Sequence, residues 1–221
     1  MLTSISKDPV RTNYLNNSKC VRFKDLRYSH IIRKVKNHQP NWDKIIMLLD
    51  FNEHSKKYPT LVIEKDVGFY LTDISINVII NQNIKQNQFS NQQIIKMFCD
   101  SLNLKNTYPL ISNNSILIAL PKNNRGSCNH SWINPSYLDY FKSAKNKNET
   151  EFLLADNQFI SLPVTEKYVD NKINDSKKLK NYLKTLLIAL NQWGNVNLQD
   201  AKLSNEPVIP LKDLIDKLIN D

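Results

Sequence analysis

Apolar residues come in short runs through most of the chain and at three- and four-residue spacing towards its end. Ile45-Ile46-Met47-Leu48-Leu49, within Asp43–Phe51, is a buried run whose shortness favours a strand. After the break at Pro59, Leu61–Thr72 carries two apolar runs interrupted by Glu64, Lys65 and Asp66. That pattern predicts a strand pair, or one bent strand, around a solvated turn. Tyr108–Ile111 and Ile116–Leu120 flank Ser112-Asn113-Asn114-Ser115 and predict a β-hairpin. Pro121 ends its second strand, because it has no N–H to give the ladder. Thr150–Leu154 and Gln158–Leu162 flank Ala155-Asp156-Asn157, a further hairpin closed by Pro163.

Helical signals are fewer. Asn77–Asn91 is rich in Asn and Gln and reads as a surface loop. Ser90 then suits an N-cap, with Gln93 completing a capping box. Ile94, Ile95, Phe98 and Leu102 follow at helical spacing, so a helix is expected over Asn91–Leu102 with Cys99 near its buried face. From Thr165 the spacing is helical again: Val169 and Ile173, then Leu179, Leu183, Leu186, Leu187 and Leu190. Asn174 or Ser176 is the expected cap of a second segment, and Gly194 its end. Gln192–Glu206 reads as a linker. Behind Pro207 and Pro210 comes a last stripe, Leu211, Leu214, Ile215, Leu218 and Ile219, with Lys212, Asp213, Asp216 and Lys217 opposite. So short a helix is unstable alone and docks on its own core or on another chain.

The expected fold is therefore α+β: a β-rich core of antiparallel hairpins with one inserted helix and C-terminal helices. Three regions are expected: a basic arm over 1–40, a core over 41–191, and a linker with an amphipathic helix over 192–221. The arm alternates apolar and basic residues without a clean period. Val21–Tyr28 reads either as a strand or as a segment that folds on contact with a partner.

Charge sharpens this picture. The net charge of +9 over 221 residues is unevenly placed. Residues 1–40 carry net +7 and residues 121–150 net +3, whereas 191–221 carry net −2. Abundant Lys and Asn also follow from an AT-rich genome, but Arg is less easily explained so. Arg11, Arg22, Arg27 and Arg33 lie in the arm and Arg125 in the loop after the central hairpin. Concentrated basic charge suggests an anionic polymer or surface as partner. No apolar run approaches the roughly 20 residues of a membrane span, and Met1–Val10 has no leader-like apolar core. Cys20, Cys99 and Cys128 make no disulfide framework, which fits a reducing cytoplasm.

Catalytic and metal chemistry find little support. Cys128 and His130 are half of a zinc site, with no matching pair elsewhere. As nucleophile and base they have no orienting acid nearby. The 3 glycines are scattered and form no phosphate-binding loop, and no helix-turn-helix pattern stands out. No enzyme, metal or cofactor is expected.

The central stretch, a hairpin ending in Pro121, the basic loop Lys122-Asn123-Asn124-Arg125-Gly126-Ser127, then Cys128 and Trp132-Ile133, resembles the ComK family of bacterial competence transcription factors. Val62-Ile63-Glu64-Lys65-Asp66-Val67-Gly68-Phe69-Tyr70 upstream is similar to the family's Ile-Glu-Lys-Asp strand. Thr150–Leu154 and Gln158–Pro163 are similar to its paired strands ending in Leu-Pro. The family's Gly- and Arg-containing segment before the hairpin is replaced here by a polar loop and a helix. The resemblance implies a cytoplasmic, nucleoid-associated activator of DNA-uptake genes. It implies binding to AT-rich double-stranded boxes through the minor groove, dimers that pair on the promoter, and contacts with RNA polymerase and a protease adaptor. A narrow A-tract groove attracts inserted Arg, so Arg125 is the expected reader, with Asn123 and Asn124 beside it. Lys122, Lys142, Lys145 and Lys147, with Arg22, Arg27 and Arg33 of the arm, would neutralise phosphates. Trp132 is expected to anchor the loop in the core. Leu211, Leu214, Ile215, Leu218 and Ile219 are expected to join subunits. Two other readings stay open: a non-catalytic module for RNA or an anionic surface, and a cysteine-dependent enzyme using Cys128 and His130.

Overall fold

The computed structural model describes residues 20–86, 92–104, 108–112, 115–122, 129–138, 140–154 and 158–194. The chain divides into a large unit, Met1–Leu179, and a second, Lys180–Asp221. The strands are β1 (Cys20–Arg22), β2 (Lys34–Val35), β3 (Ile45–Asp50), β4 (Thr60–Glu64), β5 (Gly68–Thr72), β6 (Leu110–Ser112), β7 (Ser115–Ala119), β8 (Trp132–Ile133), β9 (Phe141–Ser143), β10 (Thr150–Leu154) and β11 (Gln158–Leu162). The helices are α1 (Ile76–Gln86), α2 (Gln92–Ser101) and α3 (Glu166–Gly194). A seven-stranded sheet runs β2-β5-β4-β3-β8-β7-β6, and a four-stranded sheet runs β1-β11-β10-β9. The α+β class is as expected.

One apolar cluster joins the two sheets. Leu49, Leu61, Ile63, Phe69 and Leu71 of the large sheet meet Phe152, Ile160 and Leu162 of the small one, with Val169 and Ile173 of α3. A second cluster covers the other face of the large sheet, where Ile76, Ile79 and Ile80 of α1 pack on Leu48, Val62 and Tyr70. A sheet buried on both faces needs continuous apolar strands, which is why β3 and β4 do not alternate.

The two sheets contain the same unit twice. The hairpin β4–β5 pairs Thr60 with Thr72 and Glu64 with Gly68; β10–β11 pairs Thr150 with Leu162 and Leu154 with Gln158, a constant offset of 90 residues. The Thr60 hydroxyl donates to the Ile74 carbonyl at 2.7 Å, and the Thr150 hydroxyl to the Val164 carbonyl at 2.6 Å. Each hairpin is followed by a helix whose first turn is closed by the same bond, Ile79 N–H to Ser75 O and Val169 N–H to Thr165 O. Ile79 and Val169 are both fully buried. Each hairpin is also preceded by an antiparallel strand, β3 or β9, and by a single 3-10 turn. Asn41 caps the first turn by accepting from Asp43 N–H at 3.1 Å; Asn134 caps the second by accepting from Ser136 N–H at 3.0 Å. Finally, each unit receives a parallel edge strand from the arm. Lys34 lies beside Leu71 in one, and Arg22 beside Ser161 in the other. The strand orders β2-β5-β4-β3 and β1-β11-β10-β9 are thus equivalent.

Several expectations are corrected. Asn77–Asn91 was expected to be a loop, yet Ile76–Gln86 is helical, so two helices are inserted between β5 and β6. Ile76, Ile79, Ile80 and Asn83 form its buried stripe. The break expected near Asn174 or Ser176 is absent. The Ser176 hydroxyl bonds the Ile173 carbonyl at 2.7 Å, an internal helix contact rather than a cap, and α3 runs unbroken. Leu179 is buried as expected, but Leu183 and Leu186 are only half-buried. The strand expected over Val21–Tyr28 is confined to Cys20–Arg22, then turns into a 3-10 helix at Phe23–Asp25. The arm strands pair in parallel, unlike the hairpins. Between β4 and β5 the turn Lys65-Asp66-Val67 is as expected. Asp66 has φ 67° and Gly68 φ 89°, and at Gly68 a side chain would crowd the tight return. Leu211, Leu214, Ile215, Leu218 and Ile219 lie outside the described residues, as does the Ser90 cap. Among the described residues, no helix is long and apolar enough to cross a membrane.

Candidate nucleic-acid interface

The base of the central loop is rigid. Trp132 of β8 sits between β3 and β7, opposite Leu48 and Ala119, and is 7% exposed. It is a core anchor, as expected. Above it the Leu120 N–H donates to the Ser131 carbonyl at 2.8 Å, and His130 Nδ1–H donates to the Leu120 carbonyl at 2.8 Å. The Ser131 hydroxyl accepts from the Asp50 N–H at 3.0 Å. The loop therefore leaves and re-enters the sheet at adjacent positions, with Lys122 exposed at its start. Asn123, Asn124, Arg125 and Cys128 lie outside the described residues.

The cations of the arm separate into two groups. Arg22 and Lys24 lie at the edge of the small sheet. Lys24 Nζ meets the Glu149 carboxylate at 2.6 Å, and the Ser161 hydroxyl donates to the same carboxylate at 3.0 Å. The Lys24 hydrogen bond, more than any other contact, holds the Glu149 carboxyl below the usual carboxylate range. Lys145 and Lys147 are exposed on the β9–β10 turn that carries Glu149. Lys142 lies on the outer face of the same sheet. Its ammonium is 3.5 Å from Glu151 and 5.2 Å from the Phe159 ring centre, so it is partly engaged within the sheet.

The other group gathers on the large sheet. The Tyr28 and Tyr58 rings lie 5.7 Å apart, with Lys34 Nζ 4.3 Å from the first and Lys57 Nζ 5.8 Å from the second. On the same loop His54 stacks on Phe51 at 4.6 Å and meets the Phe23 ring of the arm at 5.3 Å, and burial pushes its pKa down. Segment 23–36 is thereby fixed against the β3–β4 loop. Lys56 and Lys57 are exposed on that loop, and Arg27, Arg33 and Lys36 are exposed on the arm segment itself. Arg33 rests 5.5 Å from the centre of the Tyr70 ring, whose hydroxyl donates to Glu64 at 2.6 Å. Burial, and then the Glu64 contact, raise the Tyr70 pKa, so it stays a neutral platform. Sequence reasoning named Arg22, Arg27 and Arg33 but missed Lys24, Lys34, Lys36, Lys56 and Lys57. The adjacent pair Lys56-Lys57 before Tyr58 was the available signal.

Across residues 43–186 the chain matches the ComK protein family. It belongs to the ComK family. The match spans both hairpins, the rigid base of the central loop and most of α3. That family comprises competence transcription factors rather than enzymes. No curated protein and no solved structure matches the chain. For this ComK-family chain, burial pushes the thiols of Cys20 and Cys99 up to about 11, so neither is a ready nucleophile. Among the described residues, no group of three or more His, Cys, Asp and Glu is placed to hold a metal ion.

Proposed function

We propose that this protein is a DNA-binding activator of competence genes that contacts AT-rich duplex boxes through the minor groove. Family membership supports the class of activity. The observation that carries the contact is the rigid base of the central loop. Strands β7 and β8, joined through Leu120, His130 and Ser131, hold both ends of the basic segment between Leu120 and His130 at fixed positions. Arg125 within it inserts where the groove is narrow and most negative. The Lys and Arg side chains on either sheet neutralise phosphates and set register. Assembly of copies on paired boxes through Leu211, Leu214, Ile215, Leu218 and Ile219 belongs to the same reading.

Gel shifts with AT-rich duplex, GC-rich duplex and single-stranded DNA of equal length test it. The expected order is AT-rich duplex first, with affinity falling steeply with salt. Preference for the single strand would favour the alternative module, for which the exposed Tyr28 among cations offers a stacking surface. A salt slope near zero would remove nucleic acid altogether.

A further inference from the structure

Each copy of the repeated unit carries a group of cations at the same end. In the large sheet that end is where β4 begins at Thr60 and β5 finishes at Thr72; in the small sheet it is where β10 begins at Thr150 and β11 finishes at Leu162. Two elements meet at each end. One is the loop before the hairpin, which holds Lys56 and Lys57 in the first copy and Lys145 and Lys147 in the second, all exposed. The other is the tip of the parallel arm strand. By register, Lys34 and Arg22 are equivalent, and the next basic positions, Lys36 and Lys24, are equivalent too. The arm therefore contains one short pattern twice, Arg22-Phe23-Lys24-Asp25 and Lys34-Val35-Lys36-Asn37. Each copy serves one sheet.

We infer that one chain carries two equivalent phosphate-binding ends, so that a single copy grips a duplex at two separate stretches of backbone. This rests on the nucleic-acid reading above and adds to it. The loop lysines match, Lys56 and Lys57 at one end with Lys145 and Lys147 at the other; the arm adds Lys36 to the first and Arg22, two residues back in register, to the second. Solubility alone does not require basic groups at matching places in two copies whose faces differ in burial. Lys24 is taken up by Glu149 and serves to hold its strand in place.

Salt titrations of full-length protein on a synthetic AT-rich duplex test this. Each phosphate contact contributes about 0.9 to the log–log salt slope. Lys56→Ala with Lys57→Ala should lower the slope by about 1.8, and Lys145→Ala with Lys147→Ala by about the same. All four together should lower it by about 3.6. Lys177→Ala with Lys178→Ala, an exposed pair on α3, removes equal charge away from both ends and should leave the slope unchanged. Hydroxyl-radical footprints should lose protection on a different flank for each loop pair. A slope change for only one loop pair would overturn the inference while leaving DNA binding intact. An equal effect of the α3 pair would overturn it too, by making charge alone the cause. A wild-type slope near zero would overturn the underlying reading as well. Unchanged melting temperatures establish that each variant is folded.

Discussion

Glu149→Gln should weaken the join between the arm and the small sheet, and should do so in a pH-dependent way. Glu149 is 7% exposed, while the Lys24 side chain that reaches it is 51% exposed. Half of the ammonium's hydration is thus retained, and the Coulomb part of the pair is small, about 0.2–1 kcal/mol. The hydrogen bonds add to it, because the carboxylate also accepts from Ser161 on a neighbouring strand at 3.0 Å. A charge-assisted bond contributes about 1.5–3 kcal/mol, but the glutamine oxygen still accepts from one of the two donors. A net loss of about 1–2 kcal/mol results. For a chain of this length it lowers Tm by about 2–8 °C. The sign with pH follows from a lowered folded-state pKa. The contribution is fully present above the unfolded-state value near 4.5 and disappears as pH falls through the lower folded value. Thermal melts of both proteins between neutral and acid pH should therefore show a constant gap down to about pH 5 that closes below 4.5. Equal Tm at neutral pH, or a gap that persists in acid, would refute the argument.

Thr60→Val and Thr150→Val should cost about the same, about 1–3 kcal/mol each, because each removes the donor to a carbonyl at the same point of its repeat. Urea denaturation measures both, and a large effect at one site with none at the other would break the equivalence. Trp132→Ala should cost about 3–5 kcal/mol, whereas Trp132→Phe should leave DNA affinity within twofold, as befits a core anchor; a selective loss of binding in the Phe variant would make Trp132 an intercalator. In a Cys128→Ser background, Cys20 and Cys99 should resist thiol reagents at neutral pH and react fast only after unfolding, since both titrate near 11.

How far the fold is legible depends on the range of its interactions. The hairpins β6–β7 and β10–β11 are written locally, as apolar runs around turn residues, and form as expected; for β4–β5 the runs allow a strand pair or one bent strand, and the pair is what forms. The α1 helix was written too, in Ile76, Ile79 and Ile80 behind Ser75 with Lys85 in its last turn, but its polar face is mostly Asn and Gln, which reads as a loop. The arm strands were not legible. Two or three residues have no measurable period, and the partner of Arg22 is Ser161, far along the chain. The cation clusters fail for the same reason: Lys34 and Lys57 meet around Tyr28 and Tyr58 only after the β3–β4 loop has folded back.

The repeat was hidden by burial rather than by divergence of the unit itself. Between Thr60–Thr72 and Thr150–Leu162 only Thr60, Asp66 and Phe69 recur, as Thr150, Asp156 and Phe159. In the first copy both faces of the hairpin are covered, by α1 on one side and by the small sheet's cluster on the other. In the second, one face looks outward. Leu61 and Leu71, fully buried, accordingly correspond to Glu151 and Ser161, which meet Lys142 and Glu149 at the edge of the core. The face that packs on its own helix stays apolar in both copies, with Val62 and Tyr70 matching Phe152 and Ile160. What survives unchanged is the threonine hydroxyl bound to the backbone of its own unit, because that contact is independent of what covers either face. Two copies of one backbone thus differ in sequence where their surroundings differ, and exposed lysines stand at the equivalent end of each, where both face solvent.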